Sequence, residues 1–169
     1  MTGSATSGGN FFEDFRIGQV LEHGPPRTLT DGDAALYCGL YGARFAPQSA
    51  ATSAQAIGLK QPPLDDLLVF HTVFGKTVPE VSLNAVANLG YAQCVFLKPV
   101  FPGATLSARS RVIGLKENAN RQTGVVYVET EGFDETGDAV LRYVRWVMVR
   151  KRSENSPAPE ALVPKLASV

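Results

Sequence analysis

The sequence is poor in the residues that build metal centres and disulfide frameworks. It has two cysteines, Cys38 and Cys94, and two histidines, His23 and His71, in 169 residues. Two cysteines make no disulfide framework and show no zinc-type spacing, so free thiols in a reducing compartment are expected. The histidines lie far apart, with no acidic neighbours at a ligand spacing, so no metal is expected. A surplus of either charge is missing too, because 16 Lys and Arg balance 16 Asp and Glu. That balance gives no general attraction to nucleic acid or to an anionic membrane. No apolar run approaches the ~18 residues of a membrane span. The first ten residues, MTGSATSGGN, lack the basic-then-apolar order of a secretory signal. A cytoplasmic location is the expectation. P-loop, HExxH, GxSxG and EF-hand patterns are absent, which removes the commonest nucleotide, metalloprotease, hydrolase and calcium readings.

What is present is an ordinary globular composition, 44% apolar and 19% charged. Residues 1–10 read as a disordered lead-in, 11–152 as one domain, and 153–169 as a proline-rich, linker-like tail. Phe11, Phe12, Phe15 and Ile17 anchor the start, and Gly24-Pro25-Pro26 reads as a break. Thr30 followed by Asp33 is a capping-box variant, which predicts a helix from Asp31 to Tyr41 that ends at Gly42. A short helix is expected around Ser49–Ile57, closed by Gly58. The segment from Leu64 to Pro79 is apolar almost all round. Leu64, Leu67, Leu68, His71 and Gly75 share one face, and Val69, Phe70, Val73 and Phe74 cover much of the rest. Such a helix reads as a central one, buried on all sides. After Pro79 the period changes to two. Strands are expected over LGYAQCVFLKPV, ATLSARSRVIGLKE, VVYVETEGF and AVLRYVRWVMVRKR, with a turn at DETGD. The expected architecture is α+β, an antiparallel meander wrapped around a central buried helix.

Several side chains can carry chemistry. His71 reads either as a general base inside the fold or as a satisfied core histidine. Asp65 and Asp66 read either as paired carboxylates or as anions favoured in a first helical turn. Asn84 and Asn88 sit in an apolar stretch, where a buried amide must lock a loop or line a pocket. Arg109, Arg111, Lys116 and Arg121 offer phosphate contacts or simply a wet strand face.

The long blocks DDLLVFHTVFGKTVPEVSLNAVANLGYA, VIGLKENANRQTGVVYV and VLRYVRWVMVRKR resemble the hot-dog fold of MaoC-like enoyl-CoA hydratases. Within that class they resemble the N-terminal half of mesaconyl-CoA hydratases. FLKPVFPGATLSA is similar to the family's PV[FY]PGDTL strand–turn–strand, with Ala104 in the aspartate place. The resemblance runs from FFEDFRIGQ to VRWVMVRKR. It implies reversible addition of water to a branched C5 dicarboxylic enoyl-CoA, with CoA as part of the substrate and no separate cofactor.

The family's motif is Gly-Asp-x-Asn-Pro-x-His, in which the aspartate and histidine activate water. The corresponding stretch here is GARFAPQ. Gly42 keeps the glycine, but Ala43 holds the aspartate place and Gln48 the histidine place, and neither side chain moves a proton near neutral pH. Leu67 stands near the family's oxyanion-hole glycine. The resemblance therefore implies a half without its catalytic pair. That half would bind acyl-CoA through residues such as Arg44, Asp65, Asp66, His71, Asn84 and Asn88, beside a second hot-dog half or a homodimer partner. Two alternatives stay open: a complete hydratase using Asp65, Asp66 or His71, and a non-catalytic acyl-CoA-binding module.

Overall fold

The computed structural model describes residues 8–166. Five antiparallel strands make one sheet: β1 (Val20–Thr28), β2 (Ala85–Phe96), β3 (Thr105–Glu117), β4 (Thr123–Phe133) and β5 (Ala139–Arg150). Four helices precede β2: α1 (Asp31–Tyr41), α2 (Ala46–Ser49), α3 (Ala51–Ala56) and α4 (Asp66–Thr77). A π-helical turn, Val78–Ser82, links α4 to β2.

The sheet order is β1-β3-β4-β5-β2. The expected four-strand meander therefore holds only for β3, β4 and β5. β2 crosses the sheet and pairs with β5, so its outer side has no strand partner among the described residues. β1 corrects the expected break. The chain runs through Gly24-Pro25-Pro26 as strand, and its register on β3 shifts between His23 and Arg27. Proline lacks the N–H a ladder needs, and an irregularity on an edge strand is where a sheet tolerates that loss.

α1 forms with the expected boundaries. Thr30 Oγ1 accepts from the Asp33 N–H, and the Asp33 carboxylate accepts the Thr30 N–H at 2.9 Å. Gly42 closes the helix at φ +80°, a conformation that favours glycine. The helix expected around Ser49–Ile57 appears as two short pieces, α2 and α3, meeting at Ala50.

α4 lies on the sheet through Val69, Thr72, Val73 and Thr77. The approach is close enough that a Cβ on Gly132 of β4 would sit 2.6 Å from Val73 Cγ2. Here the reading of α4 as buried on every side is corrected. His71 and Gly75 are exposed, and Leu67 is 41% exposed. The sheet covers one face of an all-round apolar helix, and the chain leaves the other open.

The core has two apolar lobes. One gathers Phe12, Phe15, Leu21, Val112, Val126, Val128 and Val147. The other gathers Leu29, Leu64, Val69, Val73, Leu106, Ala108 and Tyr143. Buried polar residues lie between them in the strand order: Ser110 separates Ala108 from Val112, and Arg145 separates Tyr143 from Val147. The opposite sheet face is charged, as alternation along β3 requires. Glu22, Arg109, Glu131 and Arg142 stand in register across four strands. Arg109 and Glu131 make an ion pair at 3.0 Å. Beyond β5, Leu162 pairs with Leu115 through two backbone hydrogen bonds of 2.8 Å.

Candidate functional site

The turn after α1 brings both substituted motif positions to one place. Ala43 and Gln48 line a pocket of about 30 Å³ with Tyr37, Arg44, Phe45 and Asp65. Asp65 does two jobs there. Its Oδ1 accepts the Leu67 N–H at 2.8 Å and caps α4, and its Oδ2 accepts from Arg44 at 2.8 Å. Arg44 also lies 5.6 Å from the centre of the Tyr37 ring. The hydrogen bonds it donates to Asp65 and Tyr37 hold its guanidinium above its ordinary pKa. The Gln48 Oε1 is buried with no hydrogen-bond partner among the described residues.

Asp66 faces a different space. It borders an open groove of about 450 Å³ with Phe45, Gln48, Ile57, Phe96 and Lys98. Burial, followed by the charge of Asp65, raises the Asp66 carboxyl above the usual range. His71 is exposed on the open face of α4. Its ring lies 5.8 Å from Phe70 and 6.2 Å from Tyr37, centre to centre, with no ring-nitrogen hydrogen bond to any described residue. Asn84 is placed elsewhere: its amide donates to Gly8 O at 2.8 Å and Asn10 O at 3.3 Å. Asn88, on β2, accepts from Arg145 at 3.3 Å. The structure thus gathers Ala43, Arg44, Gln48 and Asp65, sets Asp66 in the adjoining groove, and leaves Asn84 and Asn88 outside both linings.

An acid–base pair within hydrogen-bond reach does occur, away from this pocket. His23 Nδ1 lies 2.8 Å from Glu80 Oε2, and its Nε2 lies 2.8 Å from Ser110 Oγ. Ser110 Oγ is in turn 2.8 Å from Thr130 Oγ1. The residue types are those of a nucleophile, a base and an orienting acid. Burial excludes that chemistry, because Ser110 is 1% and His23 4% exposed, which keeps the hydroxyl and its base out of reach of a substrate. Burial lowers the His23 pKa, against the opposing pull of Glu80. Among the described residues no group of three His, Cys, Asp or Glu side chains is placed to hold a metal ion.

Arg145 is the least expected residue. It is 0% exposed and stacks 4.7 Å over the Phe74 ring. Its donors reach Thr77 Oγ1 at 3.0 Å, Asn88 Oδ1 at 3.3 Å and Ser82 Oγ at 3.5 Å, all neutral oxygens. Among the described residues its Nε has no well-formed hydrogen bond, the Tyr91 phenol bears on the guanidinium, and no carboxylate lies within ion-pair distance. The C-terminal end of α4 offers about 0.3–2 kcal/mol of dipole compensation. Removing a cation from water costs several kcal/mol, so the charge stays under-compensated. Burial accordingly lowers the Arg145 pKa. Sequence alternation carried a usable signal for this residue, since Tyr143, Arg145 and Val147 fall on one side of β5. No comparable signal marked His23, whose partners lie 57 and 87 residues away.

A five-stranded antiparallel sheet seated on one central helix, with a helical excursion before it, is a hot-dog domain. The chain belongs to the mesaconyl-CoA hydratase family, whose model matches residues 3–159. It is 59% identical to a mesaconyl-CoA hydratase of Cereibacter sphaeroides over 96% of its own length and 47% of the relative's. A MaoC domain dehydratase structure from Chloroflexus aurantiacus superposes with a TM-score of 0.93 and 57% identity, covering 98% of this chain and 47% of that one. A Mycobacterium tuberculosis protein described as a double hot-dog fold matches with a TM-score of 0.81 and 28% identity, over 93% and 48% of the two chains. The chain spans about half the length of the curated relatives it matches. No helix of the described residues is long and apolar enough to cross a membrane.

Proposed function

We propose that this chain is the non-catalytic hot-dog half of a hydratase that adds water reversibly to a branched C5 enoyl-CoA. It contributes packing surface and part of the acyl-CoA groove, while the proton-transferring pair comes from a second half. The observation that carries this reading is the pocket at Ala43 and Gln48, where the two motif places meet without the motif's aspartate and histidine. Asp65 is committed to capping and to Arg44. Asp66 lines the adjoining groove, and His71 stands on the open helix face. A relocated dyad would need two such groups within hydrogen-bond reach of one substrate atom.

The surface supports a second half. β2 presents an unpaired outer edge with Val86, Leu89, Tyr91 and Val95 exposed. An open apolar strand edge favours pairing with another strand. Leu67 of α4 and Leu36, Leu40 and Tyr41 of α1 are exposed apolar residues as well. CoA enters as part of the substrate, with no resident cofactor.

The test is mesaconyl-CoA hydration by the purified chain, alone and mixed with a hot-dog half that carries the aspartate and histidine of the motif. The expected result is no turnover alone and turnover in the mixture. Turnover by the chain alone at an ordinary enzymatic rate, lost in His71→Ala or Asp66→Asn, would replace this reading with relocated chemistry.

A further inference from the structure

Arg145 and Tyr143 stand two residues apart on the α4-facing side of β5, and both are fully buried. Each carries an orphaned polar atom, Nε on Arg145 and the hydroxyl on Tyr143. The Tyr143 hydroxyl has Thr77 and Thr130 nearby without a well-formed hydrogen bond to either. Two adjacent orphans, one of them cationic, are rare in a folded interior and call for a partner.

Two cations elsewhere in the fold already have carboxylate partners. Arg44 is paired with Asp65, and Lys98 with Asp134 and Asp138. Arg145 has only neutral acceptors. Asn88 and Tyr91 of the open edge strand pack beside it: Asn88 touches the guanidinium, and Tyr91 is 43% exposed. One side-chain layer therefore separates the charge from the edge of β2 that no described strand pairs.

We propose that Arg145 and Tyr143 form a carboxylate-binding subsite that reads the free carboxylate of a dicarboxylic acyl thioester. This rests on the hydratase reading above and assigns it a specificity residue. A dicarboxylic enoyl-CoA carries a full negative charge into an apolar groove, where it needs a cation without another claim on it. The guanidinium supplies that charge through Nε, and the phenol O–H adds a second donor. A monocarboxylic enoyl-CoA leaves both orphans unmet, so the subsite selects between substrates by what it leaves unpaired.

Two measurements test this. In the assembly of the chain with its hydratase-bearing half, kcat/KM is compared for mesaconyl-CoA and crotonyl-CoA. Arg145→Gln is expected to lower the mesaconyl-to-crotonyl ratio at least about tenfold, mainly through KM for mesaconyl-CoA, with partial recovery in Arg145→Lys. Equal losses on both substrates mean a packing role, or a carboxylate donated by the second half if assembly also weakens, and overturn the subsite. An unchanged ratio overturns it too. The second measurement needs no turnover. Crotonate at about ten times its dissociation constant is expected to raise the melting temperature of the chain by about 3 °C, and crotonamide is not. Arg145→Gln or Tyr143→Phe should abolish or reduce the crotonate shift. If the assembly hydrates neither thioester but crotonate still stabilises through Arg145, the hydratase reading falls and the subsite stands. If crotonate and crotonamide act alike, the subsite falls.

Discussion

His23 Nδ1 lies 2.8 Å from Glu80 Oε2, joining β1 to the π-helical turn after α4. The imidazole is buried, and its other nitrogen meets Ser110 on β3. Three elements therefore hang on one titratable ring. The groups that bear on it are Glu80, Glu22 and Arg145, and burial outweighs the two carboxylates.

A pH dependence follows. The folded state holds His23 below its ordinary value of 6.5, so the unfolded chain binds the proton more readily. Stability is therefore full above about pH 6.5 and declines as pH falls toward the folded-state value, by at most about 1.4 kcal/mol per pH unit. Carboxylates act in a lower window. Asp134, held at about 2 chiefly by Lys98, stabilises above its unfolded value of 3.8 and loses that contribution only below it. Denaturant midpoints measured from pH 7.5 to 5 should fall in the wild type. His23→Gln should flatten the slope, and an equally steep slope in that variant would place the titration elsewhere.

The cap at α4 gives a second expectation. Asp65→Ala removes both the acceptor for Leu67 N–H and the partner of Arg44. The cap alone is worth about 1 kcal/mol. The ion pair adds little, since Arg44 is solvent-exposed and water screens the attraction. Asp65→Asn keeps an oxygen for the cap and should recover most of the loss in urea unfolding. Equal losses in the two variants would mean that the Arg44 pair dominates.

Much of the fold was legible because its signals are local. Thr30 and Asp33 bound α1 from three residues apart, and the change of period after Pro79 marked the strands that form β2 to β5. β1 was not legible, because Gly24-Pro25-Pro26 reads as a break unless the strand is known to lie at an edge. α4 misled for a different reason. Helical period tells which residues share a face, but on an all-round apolar helix it cannot tell which face the chain's own sheet takes. His71 shows the consequence, exposed where the pattern placed it inside. The site divides the same way. The motif comparison gathered Ala43, Arg44 and Gln48 because they are contiguous, whereas the His23, Glu80 and Ser110 contacts depend on pairings that no local pattern encodes.

Gly132 makes the seat of α4 testable. An alanine there would put its Cβ 2.6 Å from Val73 Cγ2, so the helix or the strand must shift. Overpacking of that kind costs about 1–3 kcal/mol. Because the two side chains touch, the double variant Gly132→Ala with Val73→Ala should be less unstable than the sum of the single changes. Strict additivity in urea midpoints would mean that β4 relaxes without moving α4.

The open β2 edge supplies the last expectation. Val95 on that edge is 42% exposed, and its backbone neighbours pair with β5 on the inner side only. If the outer side joins a second hot-dog half, charge placed along it should repel the joining strand while leaving the single domain folded. Val95→Lys together with Leu89→Lys is expected to weaken self-association, or association with a second half, at least about tenfold. The far-ultraviolet spectrum should stay that of the wild type, because surface substitutions away from a packed core shift stability by about 0.5 kcal/mol or less. Sedimentation over a concentration series measures the first quantity. Unchanged association would move the contact to the exposed face of α4, where Leu67→Glu provides the corresponding disruption.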